Sequence, residues 1–254
     1  MPVFPTDLHV ARHHPNVDHP PVVLVHGAPD RSKNFARVLH LLPNLPITVY
    51  DRRGYGKSLN APLVGSGFAE HAEDLIALLD GTPSIVVGQS AGGAIAMMAA
   101  TLAPDLFLSL GVWEPPLTWC DFWPEQYVED TQVCVEFTNS RELGEYMNRR
   151  MIGDERWNAL PERTRDLLQI EGAAFHADLA CQLAPLFDIM NIKAPMVVGC
   201  GTDGNGPGSE ASRHLAELLG AELFVGQGAD HFAHTNHAEV WAKLVKATIA
   251  RASE

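Results

Sequence analysis

No stretch of this chain restricts the fold as much as Gly88-Gln89-Ser90-Ala91-Gly92. The apolar run Ser84-Ile85-Val86-Val87 precedes it, and the helix-forming run Gly93-Ala94-Ile95-Ala96-Met97-Met98-Ala99-Ala100 follows it. Strand, tight turn and helix is the setting in which Gly-x-Ser-x-Gly becomes a nucleophile elbow. A serine at such a turn takes a strained backbone conformation. Side chains in place of Gly88 and Gly92 would collide with neighbouring backbone. The helix beyond aims free N–H groups and its positive end at the point where an oxyanion would form.

The rest of the chain supports a sheet around that turn. Short apolar runs recur at Val22–Val25, Ile47–Tyr50, Ile85–Val87, Leu108–Trp113, Met196–Gly199 and Leu223–Val225. They are apolar throughout, without alternation, which predicts strands buried on both faces of a parallel sheet. Helical patterns fall between them, at Asn34–Leu42, Glu70–Leu79, Gly92–Leu102, Ser209–Leu219 and Ala238–Ala250. The rhythm is that of an α/β doubly wound sheet. It breaks between Leu117 and Lys193, where short helices are expected at Thr131–Phe137, Arg141–Arg150, Pro161–Ile170 and Ala173–Leu183. We read that stretch as a helical insertion over the carboxyl edge of the sheet.

Composition narrows the partners. The 254 residues carry a net charge of -13, which argues against nucleic acid or an anionic membrane. Met1 to Pro21 lacks the apolar core of a signal peptide, and no run is long enough to span a bilayer. Cys120, Cys134, Cys181 and Cys200 are widely spaced, with no C-x-x-C, so free thiols in a cytoplasmic protein are expected.

Four ordered elements then carry a resemblance. Val22-Val23-Leu24-Val25-His26-Gly27-Ala28-Pro29 resembles a His-Gly-x-Pro oxyanion loop. Asp51-Arg52-Arg53-Gly54-Tyr55-Gly56-Lys57-Ser58 resembles an Asp-x-x-Gly-x-Gly-x-Ser turn. The elbow at Ser90 follows, and Gly228-Ala229-Asp230-His231-Phe232 resembles a Gly-x-x-His loop near the C-terminus. Together they resemble the α/β-hydrolase fold with a helical cap over nearly the whole chain, and serine before histidine is that family's order. The resemblance implies core segments 1–116 and 194–254 with a cap at 117–193, inserted after the family's sixth strand.

Two decoys are set aside. Gly56-Lys57-Ser58 ends like a P-loop, but the first required glycine falls at Asp51. Gly199-Cys200-Gly201-Thr202-Asp203-Gly204 matches G-x-G-x-x-G, yet Asn205-Gly206-Pro207-Gly208 separates it from the next helix. Too little chain remains beyond it for a dinucleotide domain.

The chemistry implied is nucleophilic. Ser90 needs a base to take its proton, and His231 is the candidate. His234 and His237 follow at three-residue spacing, but without a carboxylate partner or fixed geometry they are weak evidence for a metal, and none is expected. His26 is expected to support the oxyanion loop. By resemblance, the backbone N–H groups of Ala28 and Ala91 form the oxyanion hole. The third member is Glu114, in Val112-Trp113-Glu114-Pro115-Pro116, or alternatively Asp203, and Glu114 is preferred. Asp230, beside His231, is expected to point away from it.

Trp113, Trp119 and Trp123 are candidate substrate contacts, since aromatic side chains lining a lid suit an apolar or ring-containing substrate. The expected activity is a cofactor-free serine esterase or lactonase working through an acyl-enzyme. A C–C bond hydrolase or perhydrolase would use the same machinery, and a non-catalytic small-molecule receptor would keep only the fold. Oligomeric state is left open.

Overall fold

The computed structural model describes residues 7–63, 67–203 and 208–253. Gly204 and Asn205-Gly206-Pro207 of the glycine-rich loop, and the first six residues of the N-terminal segment, lie outside them. Seven strands form one sheet: β1 (Val10–His13), β2 (Val22–Val25), β3 (Ile47–Tyr50), β4 (Ser84–Gln89), β5 (Phe107–Trp113), β6 (Met196–Gly201) and β7 (Glu222–Gly226). Their spatial order is β1-β3-β2-β4-β5-β6-β7. Only β1 runs antiparallel, pairing Val10 with Tyr50 and His13 with Ile47.

The apolar strands bury alternate residues on opposite faces. Val23, Val25, Val86 and Val198 face helices α2 (Phe68–Leu79), α3 (Ala91–Leu102) and α9 (Gly208–Leu219). Val22, Leu24, Ile85, Val87 and Val197 face α1 (Ala36–Leu41) and α11 (Ala238–Arg251). A sheet covered on both faces has no position for a solvated side chain, which is why these strands read as unbroken apolar runs. Strand β1 was not anticipated. Its Val-Ala-Arg-His sequence is half exposed at the sheet edge, and pairing with β3 makes it a strand.

Helices α4 (Glu125–Val135), α5 (Ser140–Ile152), α6 (Asp154–Ala159), α7 (Glu162–Ile170) and α8 (Gly172–Cys181) lie between β5 and β6. Counted within this sheet, they follow the fifth strand. Helix α4 begins earlier than its apolar pattern, directly after Pro124, and α6 is an additional element. The one cluster that α4, α5 and α8 bury among themselves is small, centred on Cys134, Leu143 and Phe175. Two buried ionic contacts tie α8 and its leading residue to the sheet domain. Arg31 Nε and Nη2 donate to Glu171 at 2.7 and 2.6 Å. Arg52 donates to Asp178, which also accepts from Tyr55 Oη at 2.7 Å and lies 3.1 Å from His71 Nε2.

No described helix is long and apolar enough to cross a membrane. The four cysteines are unpaired. Because Asp178 is fully buried, removing its carboxylate leaves Arg52 uncompensated in a dry site. Asp178→Ala is expected to lower unfolding free energy by about 3–5 kcal/mol, measured by urea denaturation. An unchanged midpoint would show that these contacts do not hold the helical region.

Candidate active site

Sheet order gathers the candidate residues at one edge. Ser90 follows β4, Glu114 follows β5, and His231 lies in the loop after β7. Ser90 has φ 50° and ψ -127°, a conformation that costs on the order of 1–3 kcal/mol for a residue with a side chain. Its N–H donates to Trp113 O at 2.8 Å, which fastens the turn to β5. A Cβ on Gly88 would fall on the backbone of Gly92 and Gly93, and one on Gly92 would fall on Val25 and His26 carbonyls. Helix α3 therefore approaches β2 and β4 closely enough to aim its N-terminus at the serine. Ala91 is its first residue, so the Ala91 N–H has no partner within the helix.

Glu114 also has a positive φ, 45°, instead of the extended value that a following proline favours. Its N–H donates to Gly199 O at 3.1 Å, which ties this turn to β6. The buried carboxylate lies 2.8 Å from His231 Nδ1 and accepts from Gly201 N–H at 3.0 Å. Ser209 Oγ lies 3.0 Å from the same carboxylate and 2.7 Å from Gly201 O, sharing one proton between them. Burial opposes charge on Glu114. The bonds from His231, Gly201 and Ser209 outweigh it and hold the carboxyl below the ordinary range. A carboxylate on Nδ1 selects the tautomer that leaves Nε2 free to act as a base toward Ser90.

Asp203 is not part of this group. Its carboxylate is exposed and accepts from Thr202 Oγ1, while its N–H donates to Ala229 O. Asp230 caps its own turn, accepting from Phe232 N–H and Asn236 Nδ2. Ser209 and the Gly201 amide were missed by sequence reasoning, because neither carries a signal until Glu114 is in place.

Ala28 lies half-buried in the loop after β2 and packs both on the main core and on the cluster of Cys134, Leu143 and Phe175. The space where a Gly27 Cβ would sit is filled by Gln89 and Ser90, so the loop lies directly against the elbow. Gln89 Nε2 also donates to His231 O at 3.2 Å. His26 is fully buried. Its Nδ1–H donates to Gly27 O at 2.8 Å and its Nε2 accepts from Arg52 N–H at 2.9 Å, which requires the neutral ring.

Trp113 is a correction. Its side chain is fully buried under Gly199 and Gly226 among the α1 and α11 packing, with no surface left for a substrate. Trp119 packs edge-on against Phe187 at 5.4 Å, and Trp123 packs partly buried on the same core. The cluster they pack on includes Ala91, and Ala28 packs against it as well.

Two open cavities lie apart from these residues. One of about 430 Å³ borders β1 and the segment from Arg31 to Leu39. The other, about 750 Å³, runs among the charged side chains of α5 and α7. Neither cavity is lined by Ser90, Glu114 or His231. Among the described residues, no three His, Cys, Asp or Glu side chains are grouped to hold a metal ion.

Comparison with known proteins identifies the family and the fold. The model of the alpha/beta hydrolase family matches residues 22–244. Lipase LipV of Mycobacterium tuberculosis is 36% identical over 113 residues, 43% of this chain and 42% of that protein. The match thus spans less than half of that relative's length. A thermophilic esterase from Thermogutta terrifontis superposes with TM-score 0.75 at 19% identity, covering 97% of this chain and 94% of its own. The enol-lactonase of Burkholderia xenovorans LB400 gives TM-score 0.70 at 19% identity, with 96% of each chain covered. At that identity these two structures show the shared fold alone.

His26 makes acid stability a test of the loop. Burial and the Arg52 charge push its pKa down to about 4 from an ordinary 6.5. Between those values the unfolded chain binds a proton that the folded chain refuses, so stability falls as pH is lowered from about 6.5 to about 4. His71, also pushed down by burial and Arg52, acts in the same direction. The His26 contribution is on the order of 3 kcal/mol. Urea denaturation at pH 7 and pH 5 is expected to show a loss that His26→Gln reduces. An equal loss in the variant would contradict the neutral-ring assignment.

Proposed function

The chain belongs to the alpha/beta hydrolase family, and on that premise we propose that it is a serine hydrolase of carboxylic esters or lactones with small apolar or ring-containing groups. The observation that carries the reading is the 2.8 Å contact between His231 Nδ1 and the buried Glu114, at the same sheet edge as a serine held at φ 50°.

Ser90 Oγ attacks the carbonyl carbon while His231 Nε2 takes its proton. Negative charge moves to the carbonyl oxygen, which the Ala28 and Ala91 N–H groups receive. Collapse breaks the ester C–O bond, and His231 returns the proton to the leaving alcohol. Water then repeats the sequence on the acyl-enzyme, releasing the acid and restoring Ser90. Glu114 remains ionised and stabilises the imidazolium formed in each half-reaction. In a lactone the leaving alcohol stays attached to the acid, and the steps are the same.

The substrate class rests on the surroundings of the oxyanion loop. Ala28 packs against an apolar cluster that Phe137, Met147 and Leu179 extend, so groups bound beside it meet carbon rather than charge. The relatives named as lipase, esterase and enol-lactonase are consistent with that choice.

Glu114→Gln is expected to lower kcat/KM for a p-nitrophenyl ester by about 10²–10⁴-fold while the protein stays folded. Asp203→Asn is expected to remain within about twofold, as an exposed turn residue should. Steady-state kinetics on both variants decide the matter, and the opposite ranking would move the third role to Asp203.

A further inference from the structure

Ala28 and His231 serve the same tetrahedral centre, one through a backbone N–H and the other through a ring nitrogen. They come from loops far apart in sequence, and a shift of about 1 Å between such groups costs up to about 10²-fold in rate. Something must hold these loops in register.

We propose that Asp30 and His234 are positioning residues whose buried pairing holds the oxyanion loop against the His231 loop. The proposal rests on the serine-hydrolase reading above. Asp30 stands two residues beyond Ala28. His234 stands three beyond His231, in the short helix α10 (Ala233–Asn236). His234 Nε2 lies 2.8 Å from Asp30 Oδ2, with side chains 1% and 7% exposed. Neither atom has a hydrogen-bond partner elsewhere among the described residues, so each faces the other alone.

Each partner is fixed on its own side. Asp30 Oδ1 accepts from Arg31 N–H at 2.8 Å and from Asn34 Nδ2 at 2.5 Å, which leaves Oδ2 to face the other loop. The His234 ring packs 5.2 Å from Phe35 and 6.2 Å from Trp241. Burial opposes the Asp30 charge, yet His234, His26 and the Arg31 amide bring its pKa down to about 2. Separating the loops would strand that carboxylate without its partner, which low-dielectric surroundings make costly. The adjoining residues continue the fastening: Arg31 holds Glu171, and Ser32 N–H donates to Asp51.

The test separates positioning from packing. A trifluoromethyl ketone with a short alkyl chain adds to Ser90 and forms an oxyanion. The methyl ketone of the same chain length binds without that charge. His234→Phe keeps an aromatic ring between Phe35 and Trp241 but removes the nitrogen facing Asp30. Its preference for the trifluoromethyl ketone is expected to fall at least about tenfold, with a parallel loss in kcat and KM within about twofold. His234→Gln, which keeps an N–H at its end, is expected to recover part of the loss. Asp30→Asn keeps the shape and carries the same comparison should His234→Phe fail to fold. An unchanged ketone preference in the folded variants, or equal weakening of both ketones, would overturn the proposal alone. A wild type that forms no ketone adduct would overturn the serine-hydrolase reading and this proposal with it.

Discussion

The close approach of α3 to β2 and β4 is the constraint on which the rest of the structure depends. It exists because Gly88 and Gly92 present no side chain where two backbones meet. That contact sets the sharp turn at Ser90, and the turn sets where the free N–H groups of the helix point. Strain at Ser90 persists because β5 holds its N–H and α3 is buried behind it. Stability drawn from the apolar layers thus supports a conformation that a serine in an open loop would leave.

Charge is used differently here than on a surface. Arg31–Glu171, Arg52–Asp178, Asp30–His234 and Glu114–His231 all include a buried partner, and each joins segments distant in sequence. Such pairs gain little net energy over apolar replacements, but breaking one leaves a charge with nowhere to go. They therefore act as registers. Two fasten the helical region to the sheet, one joins the loop after β2 to the loop after β7, and one holds the His231 ring against Glu114. The small cluster inside the helical region would not specify its placement alone.

Much of this was legible from local pattern. Buried parallel strands announce themselves as apolar runs, and the elbow announces itself through glycine spacing around Ser90. Glu114 stood out because it follows β5 directly and precedes two prolines, although its positive φ was not foreseeable from them. Strand β1 was hidden because an edge strand is defined by its partner more than by its own residues. Trp113 was misjudged because an aromatic residue at a strand end has two faces available. Only the small Gly199 and Gly226 beside it decide that it turns into the core. Asp178, Glu171 and Ser209 could not be found at all, since their partners lie in distant segments.

An activated Ser90 is the central claim, and covalent labelling tests it most directly. A fluorophosphonate probe reacts with a serine whose proton is removed by a base and whose adduct is held by an oxyanion hole. Intact-mass and peptide mass spectrometry of treated protein are expected to place one adduct on Ser90, absent in a folded Ser90→Ala variant. Folded wild-type protein that stays unlabelled, or is labelled elsewhere, would contradict the account.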